Sequence, residues 1–113
     1  MSVLSQFGVP SKALPRIARM AVSNWKTRTA AVANAWRGIA WNGTVFAAVS
    51  SDGTGNRVQT SPDGIIWTIR TSAADNSWYG IAWNGTVFAA VAKSGTGNRV
   101  MTSPDGITWT IRT

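Results

Sequence analysis

The sequence contains no cysteine, histidine or glutamate among its 113 residues, and its only acidic side chains are four aspartates. Disulfide bonds are therefore excluded, as are metal sites built from cysteine or histidine. General acid–base catalysis near neutral pH needs histidine or a carboxyl group with a shifted pKa, so few catalytic candidates remain. No apolar stretch is long enough to span a bilayer. We therefore predict a chain that is not an enzyme, binds no cofactor or metal and has no membrane partner.

Positive charge is plentiful and uneven. Eleven lysines and arginines outnumber the four aspartates, and five of these cations, with no acidic residue, fall within residues 1–33. We predict that residues 1–24 form an irregular basic arm that docks on other proteins, with a solvated, partly disordered tail as the alternative. Basic charge also suggests nucleic acid as a partner, but no recognised nucleic-acid motif is present, so this partner is not expected. The candidate docking residues are Phe7, Lys12, Leu14, Arg16, Ile17 and Arg19.

A long internal repeat dominates the rest of the chain. Residues 34–71 return as residues 76–113 with an offset of 42 residues, and seven of the 38 aligned positions differ. A repeat of this length is typical of the four-stranded blades of β-propellers. Trp25–Thr29 is a lone further copy of the last segment of the repeat, because it aligns with residues 67–71 and 109–113 at the same spacing. The differing positions of the first repeat are 35, 37, 50, 51, 52, 59 and 66.

Each repeat predicts four antiparallel strands. Asn42-Gly43 favours a two-residue type I′ hairpin turn, and Ser61–Gly64 favours a tight turn between the third and fourth strands. Both faces of the second strand are largely apolar, which indicates a sheet covered on both sides, as in a propeller. The strands predicted in the first repeat are Trp36–Trp41, Thr44–Ser50, Asn56–Thr60 and Ile66–Arg70. The predicted fold is therefore all-β: two four-stranded propeller-type blades (34–71 and 76–113), one extra N-terminal strand (25–29) and the basic arm.

The turn sequences carry a family resemblance. Ser61–Trp67 and Ser103–Trp109 resemble the Asp-box, or bacterial-neuraminidase repeat, although glycine directly follows aspartate here and shortens the motif by one residue. The resemblance implies a turn between the third and fourth strands of a propeller blade. It does not carry sialidase activity with it, since the family's catalytic pattern requires a tyrosine assisted by glutamate and this chain has no glutamate. The implied structural turn residues are Asp63, Gly64, Asp105 and Gly106.

A second resemblance suggests a location. Residues 25–113 look like the Trp-Asn-Gly … Ser-Pro-Asp-Gly-x-Thr-Trp propeller repeats of tail and other virion proteins of tailed phages. This resemblance implies a structural protein of the phage particle, namely a fibre, decoration or tail-adaptor component. Its N-terminal arm would dock on other virion proteins, and its blades would face outward.

Strand direction places the loops 51–55 and 71–77 at one end of the repeats, which we call the top face. Five of the seven differing positions lie there, as expected either from functional divergence or from the tolerance of loops to change. An oligomeric lectin that binds a host surface glycan is thus the alternative function, and an enzyme accessory domain is a third. Trp36 and Trp78 are expected to be partly exposed, and the later strand tryptophans to be core residues. The candidate ligand-binding residues are Trp36, Arg37, Arg57, Trp78, Tyr79 and Arg99.

Two blades cannot close a ring, because propellers use about four to eight. We therefore expect a homo-oligomer, with three chains supplying six blades as the first choice. Two chains supplying four blades, or a non-ring trimer, come next. The surplus segment Trp25–Thr29 is expected to pair with another protomer, since an unpaired strand edge invites partners. The alternative is that the native chain continues past Thr113.

Overall fold

The computed structural model describes residues 24–113, which form two four-stranded antiparallel sheets. Each sheet is a meander whose strands lie side by side in chain order. Within these residues there is no helix that could cross a membrane. For residues 24–113, the prediction of an all-β fold with four strands in each repeat is thus confirmed. Sheet 1 contains β1 (Trp36–Trp41), β2 (Phe46–Ser50), β3 (Val58–Ser61) and β4 (Thr68–Arg70), and sheet 2 contains β5 (Trp78–Trp83), β6 (Phe88–Ala92), β7 (Val100–Ser103) and β8 (Thr110–Arg112).

The turn between β1 and β2 is centred one residue later than the sequence predicts. The Asn42 backbone N–H donates to the carbonyl of Val45 at 3.2 Å, so Gly43 and Thr44 are the central residues. Gly43 has a φ of 97°, and the Asn42 side-chain oxygen accepts from the N–H groups of Thr44 and Val45. The prediction of a type I′ turn at Asn42-Gly43 is therefore wrong, because the asparagine side chain caps the turn instead of occupying its centre.

An irregularity in the first strand of each sheet sets the orientation of one side chain. In the pairing of β1 with β2, Trp36 lies opposite Ser50 and Gly38 opposite Val49, so Arg37 is an extra residue. The same shift in β5 makes Tyr79 the extra residue of sheet 2. Bulges of this kind redirect a side chain out of the regular alternation.

The two faces of each sheet differ, and the pairing registers show which residues share a face. We call one the valine face. It carries Val49 and Val58 in sheet 1 and Val91 and Val100 in sheet 2. The opposite face we call the tryptophan face. It carries Trp41 and Trp67 in sheet 1 and Trp83 and Trp109 in sheet 2.

The core lies between the valine face of sheet 1 and the tryptophan face of sheet 2. A Cβ atom placed on Gly106 would lie 3.3 Å from Thr60 Cγ2 and 3.6 Å from Ala47 Cβ, which shows how closely the two sheets approach. Sheet 1 thus stacks front to back on sheet 2, and one face of each sheet is left without a neighbouring sheet in residues 24–113. The buried core residues are Ala47, Val49, Val58, Trp78, Phe88, Ala90, Met101 and Trp109.

The predicted extra strand is not present. Residues 24–30 have no strand pairing, and the Trp25 side chain is 87% exposed. Its counterpart Thr68–Arg70 pairs with β3, whereas no described strand precedes Trp25 in the chain to serve as its partner. Pairing of Trp25–Thr29 with another protomer stays a prediction. The rest of the predicted arm, with its six candidate docking residues, lies outside the described residues.

Candidate functional site

Two of the four carboxylates close their own turns. Asp63 Oδ1 accepts hydrogen bonds from the backbone N–H groups of Ile65 and Ile66, at 2.9 and 3.2 Å. Ser61 Oγ accepts from Gly64 N at 2.7 Å. The bonds from Ile65 and Ile66 lower the pKa of Asp63, because they favour the ionised carboxylate. The carboxylate is thereby used to hold the chain between β3 and β4.

The corresponding turn of sheet 2 has the same geometry. Asp105 accepts from Ile107 and Thr108, and its pKa is lowered for the same reason. The indole N–H of Trp109 donates to the carbonyl of Gly106 at 2.9 Å, so the ring is fixed beneath the turn. Both turns are therefore locally self-contained structures.

The other two carboxylates are bonded to backbone donors at the top face. Asp52 Oδ1 accepts from Ala35 N at 2.7 Å. Asp75 Oδ1 accepts from Gly55 N at 2.9 Å and lies 3.7 Å from Nε of Arg57. The Gly55–Asp75 bond confirms that the loops 51–55 and 71–77 lie at the same end. All four carboxylates of the chain are thus engaged in holding loops in place.

Arg57 joins the two sheets at the top face. Its Nη1 donates to the carbonyls of Ser51 and Asn76, both at 2.9 Å, and its Nε donates to Gly53 at 2.9 Å. The repeat equivalent, Arg99, is exposed and donates to Gly95 at 2.7 Å. The difference arises because sheet 2 has no further described sheet beside it.

A cationic aromatic cluster lies beside this joint. The guanidinium carbon of Arg37 is 5.1 Å from the centre of the Tyr79 ring, and Nζ of Lys93 is 4.9 Å from it. Hydrogen bonding with Lys93 and the nearby charge of Arg37 lower the pKa of Tyr79. The sequence singled out Arg37 and Tyr79 but not Lys93. The available signal for Lys93 was that it stands where the first repeat has Ser51, one of the seven differing positions.

Two tryptophans that are equivalent in the repeat differ in burial. Trp78 is 0% exposed, and its indole N–H donates to Ala74 O at 2.9 Å. Trp36 is half-buried and makes the corresponding bond to Val32 at 3.0 Å. The prediction that Trp78 is partly exposed is wrong, because sheet 1 covers it. The prediction that Trp41 is a core residue is also wrong, since 45% of its surface is accessible.

The tryptophan face of sheet 1 contains a hollow of about 320 Å³ that sequence reasoning missed. The equivalent positions of sheet 2 include Trp78, Ala90 and Met101, which are buried against sheet 1. The residues lining the hollow are Trp36, Arg37, Gly38, Ile39, Ala48, Gln59 and Trp67. The hollow therefore corresponds to the region of sheet 2 over which sheet 1 packs.

Comparisons with protein-family models, with curated proteins and with solved structures give no match. In residues 24–113, no three metal-ligating side chains cluster together.

Proposed function

We propose that this chain is a non-enzymatic structural component of a tailed-phage particle, namely a fibre, decoration or tail-adaptor protein. Its two sheets serve as blades of a β-propeller that several copies complete together. Three copies with six blades are the first choice, two copies with four blades the second. The N-terminal arm, residues 1–24, docks on other virion proteins, and the propeller faces outward.

The observation that carries this proposal is the front-to-back stacking of two nearly identical sheets. Propellers are built from four-stranded antiparallel meanders stacked in this way around an axis. The valine face of sheet 2 and the tryptophan face of sheet 1 remain uncovered in residues 24–113. They carry apolar side chains, with Val91 51% and Ile39 56% exposed. Apolar faces of this kind favour association.

The location in a particle is supported by the resemblance of residues 25–113 to phage propeller repeats, and the non-enzymatic role by the carboxylates. A general base must be free to reach its substrate. Each of the four aspartates instead accepts hydrogen bonds from backbone N–H groups. An arrangement of this kind serves the framework of the protein.

Mass spectrometry of purified phage particles from a culture that carries the gene tests the proposal. We expect the chain to be present at a fixed stoichiometry and to be lost from the particles when residues 1–24 are deleted. A matched control is a chain with an exposed turn residue replaced, Ile66→Ser, which should still be incorporated. Absence of the full-length chain from intact particles would refute the virion role.

A lectin is the second candidate, and one observation favours it. Arg37 and Lys93 both lie near the Tyr79 ring on the top face, 5.1 and 4.9 Å from its centre, and an exposed ring beside two cations suits a sugar that carries a carboxylate or sulfate group. A glycan array that includes neutral and acidic glycans tests this function. Binding of acidic glycans that is lost in Tyr79→Ala and kept in Ile66→Ser supports it, and an array without binding counts against it.

A further inference from the structure

The two uncovered faces closely repeat the two covered ones, except that Gln59 on sheet 1 stands where sheet 2 has the buried Met101. Val91 and Val100 of sheet 2 repeat Val49 and Val58, which are 0% exposed between the sheets. On the other side, the residues that line the hollow on sheet 1 are equivalent to residues of sheet 2 that are buried against sheet 1. The internal interface joins a valine face to a tryptophan face, and the chain carries a second, uncovered copy of each: the valine face of sheet 2 and the tryptophan face of sheet 1.

Glycine surroundings show the same relationship at atomic detail. A Cβ on Gly106 would contact Thr60 and Ala47 of sheet 1, whereas a Cβ on its equivalent Gly64 would meet only Phe46 of its own sheet. The space beside Gly64 is therefore open where a neighbouring sheet stands beside Gly106.

We propose that the valine face of sheet 2 in one copy seats on the tryptophan face of sheet 1 in the next copy, in the geometry that joins the two sheets inside the chain. The joint is heterologous, because two different surfaces meet, and repeated joints of this kind give a closed ring or an open filament. The inference rests on the self-assembly part of the proposed function and names its two surfaces.

The joint between copies lacks one set of polar contacts that the internal joint has, namely those of the Asp75 carboxylate, which we call the polar clamp. Inside the chain, Asp75 accepts from Gly55 N and lies 3.7 Å from Arg57. In the joint between copies the corresponding groups are Gly97 and Arg99 of one copy, but the position of Asp75 is taken by Ala33 of the next. A copy-to-copy joint is therefore weaker than the internal one, and the missing carboxylate can be supplied by a single substitution.

The same geometry offers Trp25–Thr29 no strand partner in the joint between copies. Its counterpart Thr68–Arg70 occupies the edge of β3. In an adjoining copy the equivalent edge belongs to β7, and β8 already holds it. The segment therefore lies outside the joint.

The first test mixes two blocked variants. Val91→Arg places a charge in the valine face of sheet 2, and Ile39→Arg places one in the tryptophan face of sheet 1. Each variant alone should be a monomer by analytical ultracentrifugation. The unpaired charge should raise the dissociation constant of self-association at least about a hundredfold. A 1:1 mixture should form a dimer and nothing larger, since one intact face of each kind remains. Ile66→Arg is the control, because the equivalent Thr108 stays exposed in the covered sheet, and it should assemble like the wild type.

Three outcomes of this test overturn the inference. A specific joint should be populated at about 100 μM. A wild type that is monomeric at this concentration would mean that the arm or an unrelated protein covers the faces. A dimer of Val91→Arg alone would mean that the tryptophan face binds its own kind. Assembly that neither variant weakens would place the contact elsewhere on the chain.

The second test adds the missing clamp. Ala33→Asp lies at an exposed position, and it should tighten the association by about two- to fivefold at low salt, which is the range of an exposed ion pair. The gain should vanish in Ala33→Asp/Arg99→Ala and at high salt. A weakened or unchanged association overturns the proposed geometry, even if the blocked variants fail to fold. Both tests use the purified chain, so their failure is distinguishable from absence of the chain from phage particles.

Discussion

Nη1 of Arg57 donates a hydrogen bond to the backbone carbonyl of Asn76 at 2.9 Å, and this bond connects the top of sheet 1 to the segment that enters sheet 2. The guanidinium group is held by two further carbonyls of its own loop. Because the side chain is mostly buried, with 14% of its surface accessible, little water competes for these donors. The relative position of the two sheets therefore depends on this arginine and on the Gly55–Asp75 bond as well as on apolar packing.

Replacement of this arginine should be costly. Arg57→Ala is expected to lower the free energy of unfolding by about 2 kcal/mol or more, since hydrogen bonds of a charged group contribute about 1.5–3 kcal/mol. Arg99→Ala is the matched control, because its side chain is exposed and bonds one carbonyl. It should cost less than about 1 kcal/mol. Urea unfolding in dilute solution measures both, and equal losses would contradict the role given to Arg57.

The two turn glycines should respond differently to the same substitution. Gly106 and Gly64 both have positive φ, 83° and 78°, so alanine costs about 1–2 kcal/mol of backbone strain at either position. At Gly106 the added methyl group also meets Thr60 Cγ2 at 3.3 Å, so Thr60 or the turn has to shift by a few tenths of an ångström, whereas Gly64 has no such contact with the other sheet. In dilute solution, where the copies are separate, Gly106→Ala should therefore lower the melting temperature more than Gly64→Ala, as thermal unfolding followed by circular dichroism can show. Equal shifts would mean that the sheets do not pack as closely as described.

The two equivalent tryptophans should differ in how much their replacement destabilises the fold, because only one of them is buried by the neighbouring sheet. Trp78→Ala is expected to destabilise the chain by about 3–5 kcal/mol, the usual cost of emptying a core site of this size. Trp36→Ala should cost clearly less, because Trp36 is half-buried at the edge of an open hollow. Denaturant unfolding in dilute solution, where the copies are separate, compares the two when it is followed by circular dichroism. A larger loss for Trp36→Ala would contradict the burial of Trp78.

Acid should weaken the fold through the aspartate turns. The pKa values of Asp63 and Asp105 are lower in the folded chain than their ordinary value, so the stability they contribute is fully present above about pH 4, the unfolded-state pKa. This stability is lost as the pH falls through the lowered folded-state pKa values. Asp63→Asn/Asp105→Asn should therefore show a smaller drop in unfolding midpoint between pH 5 and about pH 2 than the wild type, as the loss of the two titrating groups requires. An unchanged drop would assign the acid sensitivity to other groups.

Local features of the fold could be predicted from the sequence because they depend on neighbouring residues. The 42-residue repeat predicted four strands in each unit, and β1 and β5 begin and end where the sequence indicated. The turn at Asp63 was recognisable from the Ser-Pro-Asp-Gly sequence alone. The turn after Trp41 was misplaced by one residue, because Asn42 can either occupy the centre of a turn or cap it, and the local sequence favours both.

The candidate site shows where this local reasoning stops. Arg37 and Tyr79 were singled out separately, yet only the stacking of the sheets places them beside each other with Lys93. Lys93 was missed because nothing near it in the chain shows which strand it faces.

The amino-acid sequence by itself determined the strands, the aspartate turns and the near identity of the two sheets, since these follow from backbone preferences and from hydrogen bonds between residues a few positions apart. The tertiary structure alone decided which copy of each repeated residue is buried. Trp36 and Trp78 stand at the same place in their repeats, but only Trp78 has another sheet packed over it. Burial is a property of what lies opposite a side chain, and two identical stretches of sequence cannot differ in it until one is placed against the other.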